Sequence, residues 1–176
     1  MLIRGSKEEI LERVIKKAGD NFELSVNCAQ SPLAALHEVF NLIGENEVVI
    51  KAATFMPGIV SRRETCGAVI GGLMALGLAF GKDKLYDPTL NTPEGMEMLF
   101  KFKEKAWRFA ESFKKEFGST MCGDIRPQIM GPEYRNYNGM DPKERERFLA
   151  DGGAKKCRVP PETAARIAAS IIMEDY

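Results

Sequence analysis

Fifteen consecutive residues, Cys66 to Phe80, carry no charge and include Gly67, Gly71, Gly72 and Gly77. At 1.5 Å per helical residue, such a run falls well short of the roughly 30 Å hydrocarbon core of a bilayer. Burial inside protein is the remaining way to hide it. Glycine is about 1 kcal/mol worse than alanine inside a helix, so several in one helix need a compensating reason. Gly67, Gly71, Gly72, Ala75 and Ala79 give this helix a smooth side. Close approach of a neighbouring helix is one such reason. Backbone approach to a ligand at the Cys66 end is another.

Around this run the helix signals are dense and the strand signals sparse. Ser6-Lys7-Glu8-Glu9 forms a capping box ahead of Ile10, Leu11, Val14, Ile15 and Ala18, with Gly19 expected as the stop. A second helix carries Leu33, Leu36, Val39, Phe40 and Ile43 up to Gly44, with Pro32 in its first turn. Val48-Val49-Ile50 fits a short strand or a helical turn. Ser61-Arg62-Arg63-Glu64 has the form of a capping box for the apolar helix, which ends near Gly81. Thr92-Pro93 opens a long helix that stops at Gly118, Asp141-Pro142 a charged one that stops at Gly152-Gly153, and Pro160-Pro161 the last. The stretch from Ile125 to Met140, rich in Pro, Gly, Asn and Tyr, is expected to be an irregular loop. These signals predict an all-α fold: one domain over residues 1–176, a compact bundle of five or six helices.

Lys plus Arg and Asp plus Glu each number 25, so the formal net charge is zero. A nucleic-acid binder would carry a basic excess, and that class is set aside. No stretch predicts membrane insertion, and the N-terminus becomes charged before a signal-peptide core could form. The expected compartment is therefore cytoplasmic, where a reducing environment disfavours permanent disulfides.

Four cysteines remain to be explained: Cys28, Cys66, Cys122 and Cys157. None forms a Cys-x-x-Cys pair, and scattered cysteines are commonly small buried hydrophobes. Their settings raise the stakes. At least three lie near a predicted helix N-terminus, with Cys122 in the turn after the long helix. There the helix dipole and free N–H groups favour a thiolate, which is both nucleophile and metal ligand. Converging thiolates would make a sulfur site for iron–sulfur or zinc. Gly67 beside Cys66 would let backbone approach that site.

Cys28, the motif Cys66-Gly67-Ala68-Val69-Ile70-Gly71, Cys122 and Cys157 together resemble the C_GCAxxG_C_C family of four-cysteine proteins. The similarity spans about residues 21–173, with Met74-Ala75-Leu76-Gly77-Leu78 continuing the motif. It implies a small helical redox-active protein of an anaerobic or facultative prokaryote. A similar cysteine arrangement in the non-haem iron region of split-Soret cytochromes points to an iron–sulfur cluster, with all four cysteines as ligands. No haem is implied, because Cys-x-x-Cys-His is absent. The role would be electron transfer, or a reductive step, with a redox partner protein or a small-molecule acceptor. Two alternatives stay open: metal-free thiol–disulfide chemistry with Cys66 as the reactive thiolate, and a zinc-stapled structural or binding module.

Other residues are weaker candidates. His37 is expected to be structural. Phe102, Trp107, Phe109, Phe113 and Phe117 form a stripe for the core or a subunit interface, and long apolar faces leave room for a homodimer. Arg62 and Arg63 stand ready to offset cluster charge, while Arg126, Tyr134, Arg135 and Tyr137 are candidates to line a small-molecule pocket.

Overall fold

A computed structural model describes residues 5–44, 47–85, 89 and 91–175. The first four residues of the charged N-terminal opening lie outside this set. The described residues are all-α, in the order α1 (Lys7–Ser25), α2 (Gln30–Phe40), α3 (Val48–Ala52), α4 (Gly58–Ser61), α5 (Gly67–Phe80), α6 (Pro93–Phe117), α7 (Cys122–Met130), α8 (Pro142–Ala150), α9 (Gly153–Lys156) and α10 (Val159–Ile172). A short 3-10 turn at Pro132–Tyr134 joins α7 to α8. Seven of these helices have nine or more residues, somewhat more than the five or six expected.

Helix α10 is the hub, packing against α1, α2, α5 and α6. Its composition explains why. Ala164, Ala165, Ala168 and Ala169 are all fully buried, so neighbours approach closely from several sides. Ile167, Ile171 and Ile172 fill the space between them. The apolar helix α5 packs on α2, α6 and α10. A Cβ at Gly71 would clash with the Ala29 carbonyl oxygen, and one at Gly72 with the Phe109 ring. The smooth side thus admits the start of α2 and a buried aromatic of α6.

Several boundaries differ from expectation for identifiable reasons. Gly19 does not stop α1, which continues to Ser25; it lies buried beneath the Arg158 and Glu162 side chains, where a Cβ would not fit. Helix α2 ends four residues before Gly44, because Asn41 takes the left-handed conformation at φ 52° and its N–H closes on the His37 carbonyl. Ser61 does not cap α5. Residues 58–61 instead form α4, a single turn with every φ positive, and Cys66 itself is the N-cap of α5. The supposed irregular loop from Ile125 begins as helix, since α7 accommodates Pro127 in its interior, and Cys122 starts that helix instead of lying in a turn. Trp107 is 69% exposed, whereas Phe109 and Phe113 are fully buried. Five residues on from Phe102 it falls about 140° round the helix, off the buried stripe.

A satellite cluster of Met130, Tyr134, Tyr137 and Phe148 sits beside the main core, made by α7, α8 and the loop between them. The Tyr137 and Phe148 rings meet at a tilt of 48° with centroids 5.5 Å apart. Among the described residues, no helix is long and apolar enough to cross a membrane.

The glycines of α5 predict two opposite outcomes. Gly71→Ala should destabilise the protein by about 1–3 kcal/mol through overpacking against the Ala29 backbone. Gly77→Ala, at a position where a Cβ meets nothing within 4 Å, should stabilise by about 0.5–1 kcal/mol. Thermal unfolding of the two variants checks both signs.

Candidate functional site

A pair of short extended segments brings two cysteines together. Thr65 and Met121 form an antiparallel bridge. Around it the Cys66 N–H donates to the Thr120 carbonyl at 2.8 Å, the Cys122 N–H to the Glu64 carbonyl at 2.7 Å, and the Gly123 N–H to the Arg63 carbonyl at 3.0 Å. Each strand then turns at once into a helix, α5 after Cys66 and α7 at Cys122. Both thiols are held at helix N-termini by backbone alone.

Cys28 reaches the same place from the turn between α1 and α2. Val26 leaves α1 in the left-handed conformation, and the Asn27 side-chain oxygen accepts from the Ala29 and Gln30 N–H groups, each at 3.1 Å. This side-chain cap starts α2 and fixes Cys28 within its own turn. The sulfur comes so close to α5 that a Cβ at Gly67 would sit 2.5 Å from it. Cys157 closes the circle as the C-cap of α9, directly before α10.

All four cysteines line a single cavity of about 70 Å³, with Arg126, Arg145, Tyr137, Ser61 and Phe148 among its other walls. It lies on the seam between the main core, which contains Cys66 and Cys122, and the aromatic satellite, which packs on Cys157. Every cysteine is free. Cys66 and Cys122 are buried; Cys28 and Cys157 are half-buried.

Charge is unequally shared among the thiols. A hydrogen bond from the Cys66 thiol holds Cys28 below its ordinary pKa against the opposing effect of burial, helped by Arg126 and the Gly67 N–H. The same bond, with burial, pushes Cys66 well up. Burial raises Cys122, and it pushes Cys157 up to about 12, in both cases against the pull of Arg126. The Arg126 guanidinium stacks over Tyr137 at 4.3 Å.

A multi-atom group is compatible with these walls. Four sulfur donors face one space, and the backbone at Gly58 and Gly67 leaves room beside Cys122 and Cys28. Among the described residues, no three His, Cys, Asp or Glu side chains close to the spacing of a single metal ion.

Of the other candidates, Arg126 and Tyr137 line the cavity, while Tyr134 packs behind Tyr137 at 5.9 Å and donates to Asp151. Arg135 is not among the lining residues. Arg62 and Arg63 also fail to reach the thiols: Arg62 pairs with Glu64 at 3.6 Å, and Arg63 donates to the Asn136 side chain at 3.1 Å. His37 is structural, its Nδ1 accepting from the Ile43 N–H beyond the end of α2. Lys155, Lys156 and Arg158 flank Cys157 in sequence, yet Arg158 is taken by Asp20, Glu23 and Glu162. The cation near Cys157 is Arg126 instead. Sequence reasoning missed Ser61 and Arg145 as cavity residues. Nothing local marked Arg145 within its charged helix.

The Cys157 thiol predicts a pH dependence for the metal-free protein. Its folded pKa, about 12, lies above the ordinary 9.0, so the folded state keeps a proton that the unfolded chain releases. This contribution is complete below pH 9 and is lost as pH rises towards 12. Denaturant unfolding between these values should show falling stability, with a shallower fall in Cys157→Ala.

No curated protein matches the chain. No solved structure matches it either. Residues 26–171 match the family described as "Putative redox-active protein (C_GCAxxG_C_C)", a span that contains every wall of the cavity named above and all four cysteines. The chain belongs to the C_GCAxxG_C_C family.

Proposed function

We propose that the four-cysteine cavity holds an iron–sulfur cluster and that the protein transfers electrons to, or reduces, a partner or small-molecule acceptor. The observation that carries this reading is the convergence of Cys28, Cys66, Cys122 and Cys157 on one cavity from four separate segments. Core packing alone gives no reason for four thiols to share a wall. Cys28, Cys66, Cys122 and Cys157 would be the ligands. A bound cluster supplies one-electron transfer at a potential set by its surroundings. The chain contributes helix N-termini and the Arg126 guanidinium to balance thiolate charge, and the walls of Tyr137 and Phe148 to limit water.

A second reading is favoured by the Cys28–Cys66 hydrogen bond. In a metal-free protein Cys28, rather than Cys66, would be the attacking thiolate. It would displace one sulfur of a disulfide substrate to form a mixed disulfide. Cys66 would then attack Cys28, releasing the second substrate thiol and leaving a Cys28–Cys66 disulfide.

Anaerobic purification, with a visible spectrum and assays for iron, acid-labile sulfide and zinc per chain, tests these readings. The cluster predicts a coloured protein with stoichiometric iron and sulfide. Both should be lost in at least three of the four single Cys→Ser variants while helicity by circular dichroism is retained. One zinc per chain and no colour would replace the cluster with a structural module. A colourless, metal-free protein that alkylates first at Cys28 would establish the thiol reading.

A further inference from the structure

Two guanidinium groups line the cysteine cavity, those of Arg126 and Arg145, and among the described residues no carboxylate does. Arg126 lies one helical turn after Cys122 on α7, so both face the same space. Its Nε is buried without a hydrogen-bond partner, and Tyr137 holds the guanidinium plane by stacking. Arg145 sits on the exposed side of the cavity within hydrogen-bond reach of the Tyr137 hydroxyl. The adjacent carboxylate, Glu144, is not among the lining residues; it accepts from the Asn138 N–H at 2.5 Å, and its charge also reaches the Tyr137 hydroxyl. Neighbouring cations are engaged elsewhere: Arg158 with three carboxylates, Arg147 over Tyr134, and Arg63 on the Asn136 side chain.

Arg126 is half-buried and Arg145 exposed, and a guanidinium pair whose cavity walls hold no carboxylate is stabilised when an anion faces it. The hydroxyls of Ser61 and Tyr137 offer further hydrogen bonds from the same walls. Size narrows the class. A water needs roughly 10–15 Å³ of such space, so a cavity of about 70 Å³ holds around five atoms of that size. That suits a carboxylate or an inorganic oxyanion.

We propose that the cavity admits small anions and presents them to the cysteine thiols, with Arg126 as the binding cation and Arg145 as the cation at the rim. This rests on the second, metal-free reading of the four-cysteine cavity, because a bound cluster would fill the same space, and it gives that site a class of reactant. Arg126 and Arg145 are placed here as binding residues, distinct from a role confined to balancing thiolate charge.

Iodoacetate and iodoacetamide provide the test. In both, a thiolate displaces iodide and a C–S bond replaces the C–I bond; the reagents are close in size and differ in charge. On the reduced, metal-free chain, with helicity checked, iodoacetate should react at least as fast as iodoacetamide. In urea the order should reverse. Arg126→Gln should lower the iodoacetate-to-iodoacetamide rate ratio roughly tenfold, the worth of a charge-assisted hydrogen bond. Arg126→Lys should keep most of the ratio, and Arg145→Gln should lower it by a smaller factor. Inorganic sulfate should slow both reagents in the parent protein.

A merely structural role for Arg126 would change both rates together and leave their ratio alone. A native ratio equal to that in urea, or one unmoved by Arg126→Gln, overturns the proposal. So do thiols that react with neither reagent until the chain unfolds. If Arg126→Gln does not fold, the Arg145→Gln ratio and sulfate protection in the parent protein decide. Iron content is not read in this experiment. A protein that never binds iron can still pass it, and an iron protein with an unselective cavity fails it alone.

Discussion

The contact on which the site depends is the seating of the Cys28 turn against the first turns of α5. It exists because two residues of α5 have no side chain. Gly67 leaves space for the Cys28 sulfur, and Gly71, one turn on, leaves space for the Ala29 carbonyl. Between them Ala68 and Val69 are buried in the core. The Cys-Gly-Ala-x-x-Gly pattern is therefore a description of a surface: a thiol at the helix start, then a flat strip along which another chain segment lies. Shift that strip outward by one methyl group and Cys28 leaves the cavity.

The rest of the molecule holds this seam closed from outside. Helix α10 packs on α1, α2 and α5 at once, and Arg158 at its N-terminus binds carboxylates of α1. On the other flank the turn at residues 58–61 runs through four consecutive positive φ values, two of them at the β-branched residues Ile59 and Val60. Left-handed backbone costs roughly 1–2 kcal/mol per residue outside glycine. The strained turn places Gly58 against Cys122 and Ser61 on the cavity wall, so backbone strain gathers where the sulfurs do.

Much of this was legible in the chain. The Ser6 capping box, the Thr92 and Asp141 caps and the Gly118 stop are local signals, and local signals survive folding. The glycine strip on α5 also announced a close approach. Failures came where tertiary contacts override local chemistry. Gly19 looked like a terminator and is a packing notch under Arg158. Ser61 to Glu64 had the letters of a capping box, but Ser61 takes a left-handed backbone and the Arg63 and Glu64 carbonyls pair with the Cys122 segment, so α5 begins only after Cys66. Arg158, next to Cys157 in sequence, turned to acids of α1, and the guanidinium near that thiol arrived from α7 as Arg126. Pairings of that kind are set by the fold, and no local pattern encodes them.

The four cysteines stand at positions 28, 66, 122 and 157, with whole helices between each consecutive pair. Anything that ties these points together closes three long loops, and closing such loops removes conformational freedom from the unfolded chain, as a set of cross-links does. Were a group to bind all four, its occupancy and the resistance of the chain to unfolding and proteolysis would be one quantity seen from two sides. An oxidant that removed such a group would then do more than take away what was bound. It would shorten the lifetime of the protein, making turnover by proteases a readout of the redox condition around it.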